Sequence, residues 1–368
     1  MTTLSAHPFR GGIPFPVDRP EASALLTALS RDVIDPNRID LLARQAYGGL
    51  PALNLLWPPA RLWQQALADL SLADRLLDLC EILVAQQGLV AVGRAAQVLL
   101  DARPTLERLM VGERLVVDRE AYRGHIARLA RDGALLKVLL VRGSPRTGKT
   151  WSRHLFERAA RDRGADVVYL RPLMVPTVDD VIRKLFEVLH APAEIPPEDT
   201  SKDAWYRTVC FRLPALAERR GRPLWIAVDD LGPGPDGITP LADAQIRAFF
   251  DQLALTLEDP SANRWLRLLL IHYPDGDEPT RWNEDVWAED LARPEEVTAA
   301  DVADVFREWR DDHGVTLLDD QIAVRADAVI ARADAALPPE DARARHCRMR
   351  RIHDEVHAEL ATLAGGDR

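Results

Sequence analysis

Residues 143–150 match the phosphate-loop pattern GxxxxGK[ST] at every fixed position. Its glycines let the backbone wrap closely around phosphate oxygens, with amide N–H groups turned inward. Lys149 is predicted to reach the β- and γ-phosphates of a nucleotide, and the Thr150 hydroxyl is predicted to ligate Mg²⁺. The predicted nucleotide-binding residues are Gly143, Ser144, Pro145, Arg146, Thr147, Gly148, Lys149 and Thr150.

A second acidic element follows an apolar run over residues 224–228, which ends in Asp229 and Asp230. A P-loop hydrolase needs a carboxylate at the end of another strand to hold the Mg²⁺ shell. Asp229 is predicted to ligate Mg²⁺ together with Thr150. Asp230 is the predicted catalytic residue, which orients and deprotonates the attacking water. Aspartate also occurs at the ends of strands because it favours turns. The interpretation of Asp229 as a Mg²⁺ ligand therefore depends on the phosphate loop that precedes it in the sequence.

The next apolar run, residues 266–272, ends in His272. In ATPases where one strand lies between the two motif strands, a polar residue at its end often senses the γ-phosphate. His272 is predicted to contact the nucleotide in this way, and Tyr273 is an alternative. A histidine that simply faces solvent is the other interpretation. Arg146 and Arg281 are further candidates for stabilising charge in the transition state.

The elements that position these residues are helices alternating with short apolar strands. Continuous apolar strands between helices are typical of a parallel sheet covered on both faces. We therefore predict an α/β P-loop NTPase fold. The strands are predicted at residues 137–141, 167–170, 224–228, 266–272 and near 286–291, and the helices at 119–131, 149–163, 178–189, 202–220 and 240–257.

The flanking regions have helical patterns without strand signals. An N-terminal all-α bundle and a C-terminal helical lid are therefore predicted on either side of the sheet. The predicted organisation is an irregular segment at 1–20, a helical adaptor domain at 21–100, a linker at 101–117, a P-loop ATPase core at 118–292 and a lid subdomain at 293–368.

The overall composition argues against several classes of protein. The formal net charge of −10 argues against a uniformly basic nucleic-acid binder, although residues 343–351 carry an arginine cluster. The N-terminus lacks the pattern of a signal peptide, and no apolar run is long enough for a membrane helix. The three cysteines form neither a CxxC site nor a disulfide framework. A cytoplasmic protein without membrane association is predicted.

With these motifs in hand, residues 118–310 resemble STAND-type ATPases and their AAA+ relatives. The resemblance rests on Val117-Asp118-Arg119-Glu120 before a helix, on the strand that leads into the phosphate loop, and on the Asp229-Asp230 pair. Residues 294–309 look like the first lid helix of that group. The resemblance implies ATP and Mg²⁺ as cofactors and homo-oligomerisation on activation. The chain departs from the STAND pattern because no winged-helix domain or sensor array follows the lid.

Residues 20–100 are similar to effector-associated domains, the small death-fold-like adaptors of bacterial conflict systems. The similarity rests on the size of the bundle and on residues 38–47, 55–57, 76–84, Trp63 and Gly88. It implies a partner: an effector protein, for example a protease, that carries a matching helical domain.

These observations together predict a Mg²⁺-dependent molecular switch that hydrolyses ATP slowly. Its nucleotide state would control oligomerisation and effector recruitment in a bacterial defence system. ATP is favoured over GTP because no guanine-specifying NKxD motif occurs. Two alternatives remain open. One is a DNA-associated AAA+ helper that loads a nuclease or transposase, and the other is a scaffold with a vestigial nucleotide site.

Overall fold

The chain forms two compact units in the computed structural model. One contains Met1–Glu107 with Arg161–Gly164, and the other contains Arg108–Ala160 with Ala165–Arg368. The structure describes residues 7–9, 14–17, 19–48, 53–86, 88–102, 105–111, 114–117, 119–131, 133–143, 148–171, 176–198, 201–232, 243–274, 281–293, 296–313, 315–335 and 348–365.

The first unit is a bundle of helices, as its apolar periodicity predicts. Asp35 caps the second helix through the amide of Asn37, and Gly48 ends that helix in the left-handed conformation. Trp63 is completely buried and donates its indole N–H to the carbonyl oxygen of Val33 at 3.0 Å. The helices are α1 (Pro20–Asp32), α2 (Pro36–Tyr47), α3 (Pro59–Leu72), α4 (Leu76–Ala85) and α5 (Val90–Leu100).

The second unit begins with a short antiparallel pair that the sequence pattern does not predict. Strand β1 (Met110–Val111) pairs with β2 (Arg114–Leu115). Leu115 and Val117 then pack into the core of the C-terminal helices. The segment that contains β1 and β2 therefore packs against the C-terminal helices.

The centre of the second unit is a five-stranded parallel sheet with the order β4-β5-β6-β3-β7. The strands are β3 (Val138–Arg142), β4 (Asp166–Leu170), β5 (Leu224–Val228), β6 (Leu266–Ile271) and β7 (Trp287–Leu291). Strands β3, β5 and β6 are buried along their whole length. This confirms the predicted parallel sheet, and β6 separates the phosphate-loop strand β3 from the acidic strand β5.

Helices flank the sheet and alternate with its strands, as predicted. They are α6 (Glu120–Leu129), α7 (Ser152–Asp162), α8 (Val178–Val188), α9 (Lys202–Arg220), α10 (Ala244–Thr256) and the single turn α11 (Pro260–Asn263). Side chains of Thr177, Ser201 and Asp243 cap α8, α9 and α10. One large apolar core joins α8, α9 and α10 to strands of the sheet, which fixes the carboxyl ends of the strands relative to each other.

The C-terminal helical lid consists of α12 (Ala299–His313), α13 (Asp319–Ala335) and α14 (Arg348–Gly365). Phe306, Ile322, Ile352 and Val356 are fully buried where these helices pack. Residues 336–347, between α13 and α14, lie outside the described part of the chain. Across the described ranges, no helix combines the length and the apolarity that crossing a bilayer requires.

Candidate nucleotide site

The phosphate loop connects β3 to α7. Gly143 (φ 124°) and Gly148 (φ 85°) have backbone conformations that side-chain-bearing residues rarely adopt, so both fixed glycines of the motif are needed sterically. Lys149 begins a 3₁₀ turn that continues into α7, and its side chain is almost fully buried. Its ammonium group donates to the carbonyl oxygen of Gly143 at 2.6 Å, so it lies across the loop. Ser144, Pro145, Arg146 and Thr147 are outside the described residues.

Asp229 lies at the carboxyl end of β5 and has no exposed surface. Its carboxylate accepts hydrogen bonds from Tyr169 at 3.1 Å, from the Asp230 amide at 2.8 Å and from His272 at 2.9 Å. Burial by itself raises the pKa of Asp229, but the bonds from His272, from the Thr150 hydroxyl and from the Asp230 amide hold it below its ordinary value. Asp229 is therefore an ionised carboxylate beside Thr150.

Asp230 is the next residue and has a left-handed backbone conformation with φ 59°. Its Oδ2 atom accepts two hydrogen bonds from Arg171, at 2.9 Å from Nε and 2.6 Å from Nη2. Its Oδ1 atom lies 3.5 Å from His272 Nδ1. The hydrogen bond from His272 lowers the pKa of Asp230, burial opposes this, and Arg171 lowers it further.

Arg171 is a site residue that the sequence analysis missed. It directly follows β4, and β4 pairs with β5 in a register that puts Leu170 opposite Val228. Because the carboxyl ends of parallel strands meet at one edge of a sheet, a residue that follows β4 lies beside the residues that follow β5. Its position after a strand is the signal that could have identified it.

His272 follows β6 and also has a left-handed conformation, with φ 58°. Gly232 makes this arrangement possible, because a Cβ atom there would lie 2.5 Å from the carbonyl oxygen of His272. Burial lowers the pKa of His272, but hydrogen bonds to Asp229 and Asp230 outweigh it and raise the pKa. His272 therefore points at the two acids.

Tyr273, the alternative to His272, and Arg281, the candidate for stabilising charge, make other described contacts or none with the two acids. Tyr273 is mostly buried, its hydroxyl lies 3.4 Å from Asp251 Oδ1, and its ring packs on Trp282. Arg281 is exposed, and it is not among the described contacts of Asp229 and Asp230.

The donor set at the ends of β3 and β5 suits a hydrated Mg²⁺ ion. The Thr150 hydroxyl and the Asp229 carboxylate are hydrogen-bonded neighbours, and Mg²⁺ is usually held by one or two protein oxygens together with waters and substrate phosphates. Lys149 and the start of α7 supply the positive charge that phosphates need. The residues present therefore fit both groups that the motif implies.

A small pocket with mainly apolar walls lies beside the phosphate loop. Its volume is about 20 Å³, roughly the room of one water molecule. Met349 from α14 closes one side, and its Cγ atom would lie 3.2 Å from a Cβ atom at Gly148. Other lining residues are Val116, Val117, Trp151 and Val297. In this state the pocket is too small for a nucleobase.

Arg119, from the motif that resembles STAND ATPases, braces the start of α7. It donates to Asp290 on β7 at 2.5 Å and to the Ser152 hydroxyl at 2.8 Å, and all three side chains are largely buried. Tyr122 donates to the Ser152 carbonyl at 2.6 Å. Arg119 therefore connects β7 to the first turn of α7, directly after the phosphate loop.

No protein-family model matches the chain, and no curated protein matches it. Among solved structures it is similar to Cdc6p from Pyrobaculum aerophilum, at 18% identity and TM-score 0.42, over 70% of this chain and 66% of that one. The Aeropyrum pernix ORC2 protein matches at 13% identity and TM-score 0.39, over 70% and 71% of the two chains. Drosophila ORC bound to DNA matches at 15% identity and TM-score 0.37, over 67% and 66%.

This chain therefore spans just under two thirds of the Cdc6p chain. The strand order and the geometry of the site are the observations that bear on the function of this chain.

Proposed function

We propose that the chain is a Mg²⁺-dependent, ATP-binding and slowly ATP-hydrolysing switch of the AAA+ type. The observation that carries the proposal is the meeting of Lys149, Thr150 and Asp229 at one edge of a parallel sheet. The order of its strands, with β6 between β3 and β5, agrees with this class of P-loop protein.

The proposed roles follow from the positions of the side chains. Lys149 and the loop amides bind the phosphates, while Thr150 and Asp229 hold Mg²⁺, which neutralises phosphate charge when it is bound. Asp230 orients the attacking water and accepts its proton. His272 contacts the γ-phosphate, because it lies between the phosphate-loop strand and the acidic strand.

Slow hydrolysis follows from the state of Asp230. Its carboxylate is hydrogen-bonded to Arg171 and close to His272, and its pKa is below the ordinary value. A general base works best when its pKa is near the working pH. A strongly paired, low-pKa carboxylate is therefore a weak base, as a switch that must persist in its ATP state requires.

Met349 is the proposed link between nucleotide binding and the position of the helical lid. Pockets that bury a small-molecule ligand typically have volumes of about 300–1,000 Å³, while the pocket beside Gly148 has about 20 Å³. A base that enters this pocket would have to displace α14 from the loop, which would change the position of the helical lid. We infer that this movement controls homo-oligomerisation.

The N-terminal bundle is the proposed site of effector recruitment. It exposes a set of large apolar side chains that its own core does not use, of which Leu56 is 93% exposed. Large contiguous apolar patches mark protein–protein contact surfaces, and these side chains are the ones from which such a patch on the bundle would be built. The others in the bundle include Ile34, Leu41, Leu72 and Val90. The proposed partner is an effector protein that carries a matching helical domain and acts in a bacterial defence pathway.

The alternative of a DNA-loading helper gains little from the arginine cluster near the C-terminus. Arg348 pairs with Asp334 at 2.7 Å, and Arg350 lies 3.9 Å from Asp354, so acids offset part of this charge. The remaining arginines before residue 348 are outside the described ranges. DNA-stimulated turnover that falls steeply with salt would favour this alternative.

The test is calorimetric titration of the full chain with a slowly hydrolysed ATP analogue and Mg²⁺. Lys149→Ala should weaken binding at least about tenfold, because the only described side-chain cation across the loop is lost. Lys184→Ala, an exposed lysine on α8, is the matched control and should bind like the wild type. Unchanged binding by Lys149→Ala would refute the site. Binding without any turnover would support the vestigial scaffold instead.

A further inference from the structure

We propose that Asp229, Asp230 and His272 form a three-ligand site for a divalent transition-metal ion, such as Mn²⁺ or Co²⁺, that binds without nucleotide. This inference rests on the proposed function, because it concerns the metal position of the same site. It adds a nitrogen ligand to a position where Thr150 and Asp229 alone would favour Mg²⁺.

The distances among the three side chains suit a shared metal ion. One ligand atom from each lies within 4.8 Å of the others. His272 Nδ1 is 2.9 Å from Asp229 Oδ1 and 3.5 Å from Asp230 Oδ1. Two ligands bonded to one ion at about 2.1 Å, at angles between octahedral and tetrahedral, lie roughly 3.0–3.5 Å apart. The two distances from His272 therefore lie near this range, and the metal would replace the Nδ1 proton that now joins His272 to the carboxylates.

The carboxylates are already oriented for this purpose. Tyr169 donates to Oδ2 of Asp229, and Arg171 donates to Oδ2 of Asp230. The Oδ1 atoms of both acids are the ones closest to the imidazole. Hydrogen bonds that hold the outer oxygen of a ligating carboxylate are typical of metal sites, where such outer partners fix the orientation of the ligands.

The ligand types predict the selectivity. Mg²⁺ prefers oxygen ligands and retains most of its waters, whereas imidazole nitrogen suits the later divalent metals and carboxylate oxygen suits Mn²⁺. Two carboxylates and one imidazole therefore favour Mn²⁺ or Co²⁺ over Mg²⁺. His272 is the residue that determines this preference.

The test measures Mn²⁺ binding to the nucleotide-free full chain by the loss of the free-ion EPR signal. The wild type should bind one Mn²⁺ per chain, and His272→Asn should weaken Mn²⁺ binding by about 10–100-fold while changing Mg²⁺ affinity less than twofold. His190→Asn is the matched control, because His190 is an exposed histidine that is also left-handed, with φ 53°. Asn tolerates that conformation at both positions. Equal Mn²⁺ affinity in wild type and His272→Asn would overturn the proposal.

A second measurement does not depend on the folding of a variant. Pulsed EPR of the wild-type Mn²⁺ complex should contain the ¹⁴N coupling of a directly bound imidazole, and its absence would overturn the proposal. The two proposals also fail separately. Lys149→Ala should weaken ATP binding at least about tenfold and keep Mn²⁺ binding. A wild type that binds ATP but no nucleotide-free Mn²⁺ contradicts only the metal site, whereas Lys149→Ala with unchanged ATP binding contradicts only the nucleotide site.

Discussion

Arg171 donates two hydrogen bonds to one carboxylate oxygen of Asp230, at 2.9 and 2.6 Å. The two residues follow neighbouring strands, β4 and β5, and the carboxylate that would deprotonate water is thereby occupied by a cation. Arg171 is partly exposed, so a partner molecule or a nucleotide can reach it.

Arg171→Ala should increase ATP turnover by roughly three- to tenfold, because Asp230 loses a donor that lowers its pKa and becomes a better base. Steady-state phosphate release measures this. Arg183→Ala, which removes an exposed pair with Asp180 on α8, should leave turnover unchanged. A loss of turnover in Arg171→Ala would mean that Arg171 assists the reaction directly.

Arg119→Ala should destabilise the fold strongly. The change leaves Asp290 buried without its cation, which typically costs about 3–5 kcal/mol. Arg307→Ala is the matched control, because its pair with Asp304 is exposed and should cost less than about 1 kcal/mol. Urea unfolding followed by tryptophan fluorescence compares the two, and similar losses would contradict the bracing role of Arg119.

Gly232→Ala should disrupt the site through the backbone. The added Cβ atom would lie 2.5 Å from the carbonyl oxygen of His272, so the residues after β5 and β6 must separate. We expect ATP turnover to fall at least about tenfold, since misplacement of the order of 1 Å costs about two orders of magnitude. Gly124→Ala in α6 has open space around it and should stabilise the chain by about 0.5–1 kcal/mol. Normal turnover in Gly232→Ala would mean that the close approach of Gly232 to the His272 carbonyl is not needed to position the site.

Met349→Ala should accelerate nucleotide association, because it removes the side chain that narrows the pocket beside Gly148. Stopped-flow fluorescence with a labelled ATP analogue measures this rate, and we expect an increase of several-fold. Leu360→Ala lies on the same helix and is buried to a similar degree, 7% exposed against 6% for Met349. Both changes should cost about 2–5 kcal/mol of stability, but only Met349→Ala should alter association. Equal association rates for Met349→Ala and Leu360→Ala would mean that the pocket beside Gly148 does not limit nucleotide association.

The His272–Asp229 contact predicts a pH-dependent contribution to stability. The pKa of His272 is raised in the folded state from 6.5, while those of Asp229 and Asp230 are lowered, so only the histidine titrates near neutrality. When the pKa of a histidine is higher in the folded than in the unfolded state, its protonation stabilises the fold. This stabilisation is complete at pH values below the unfolded-state pKa, and it disappears as the pH rises through the folded-state pKa. In metal-free buffer, the stability difference between wild type and His272→Asn should shrink from pH 6 to pH 9. A constant difference would contradict the pairing.

Much of the sheet and part of the site could be predicted from local sequence. Lys149 and Asp229 lie in short motifs whose residue types are dictated by phosphate and metal chemistry, and the buried strands are uniformly apolar. Arg171 lies in no such motif: it follows a predicted strand, but its contact with Asp230 comes from the pairing of β4 with β5, a relationship between distant segments. The two-residue strands β1 and β2 are too short to give any periodic signal. The contact of Met349 with Gly148 depends on the packing of the lid, which no local pattern encodes.

The position of β6 has a consequence for how the phosphate loop is connected to the acidic strand. Neighbouring strands lie about 4.8 Å apart, so inserting β6 separates β3 from β5 by roughly 10 Å. Asp229 is nevertheless in contact with both neighbours, because the Thr150 hydroxyl reaches it from the first turn after the phosphate loop and His272 reaches it from the end of β6. A displacement at the end of β6 would therefore change the position of Asp229 relative to the phosphate loop.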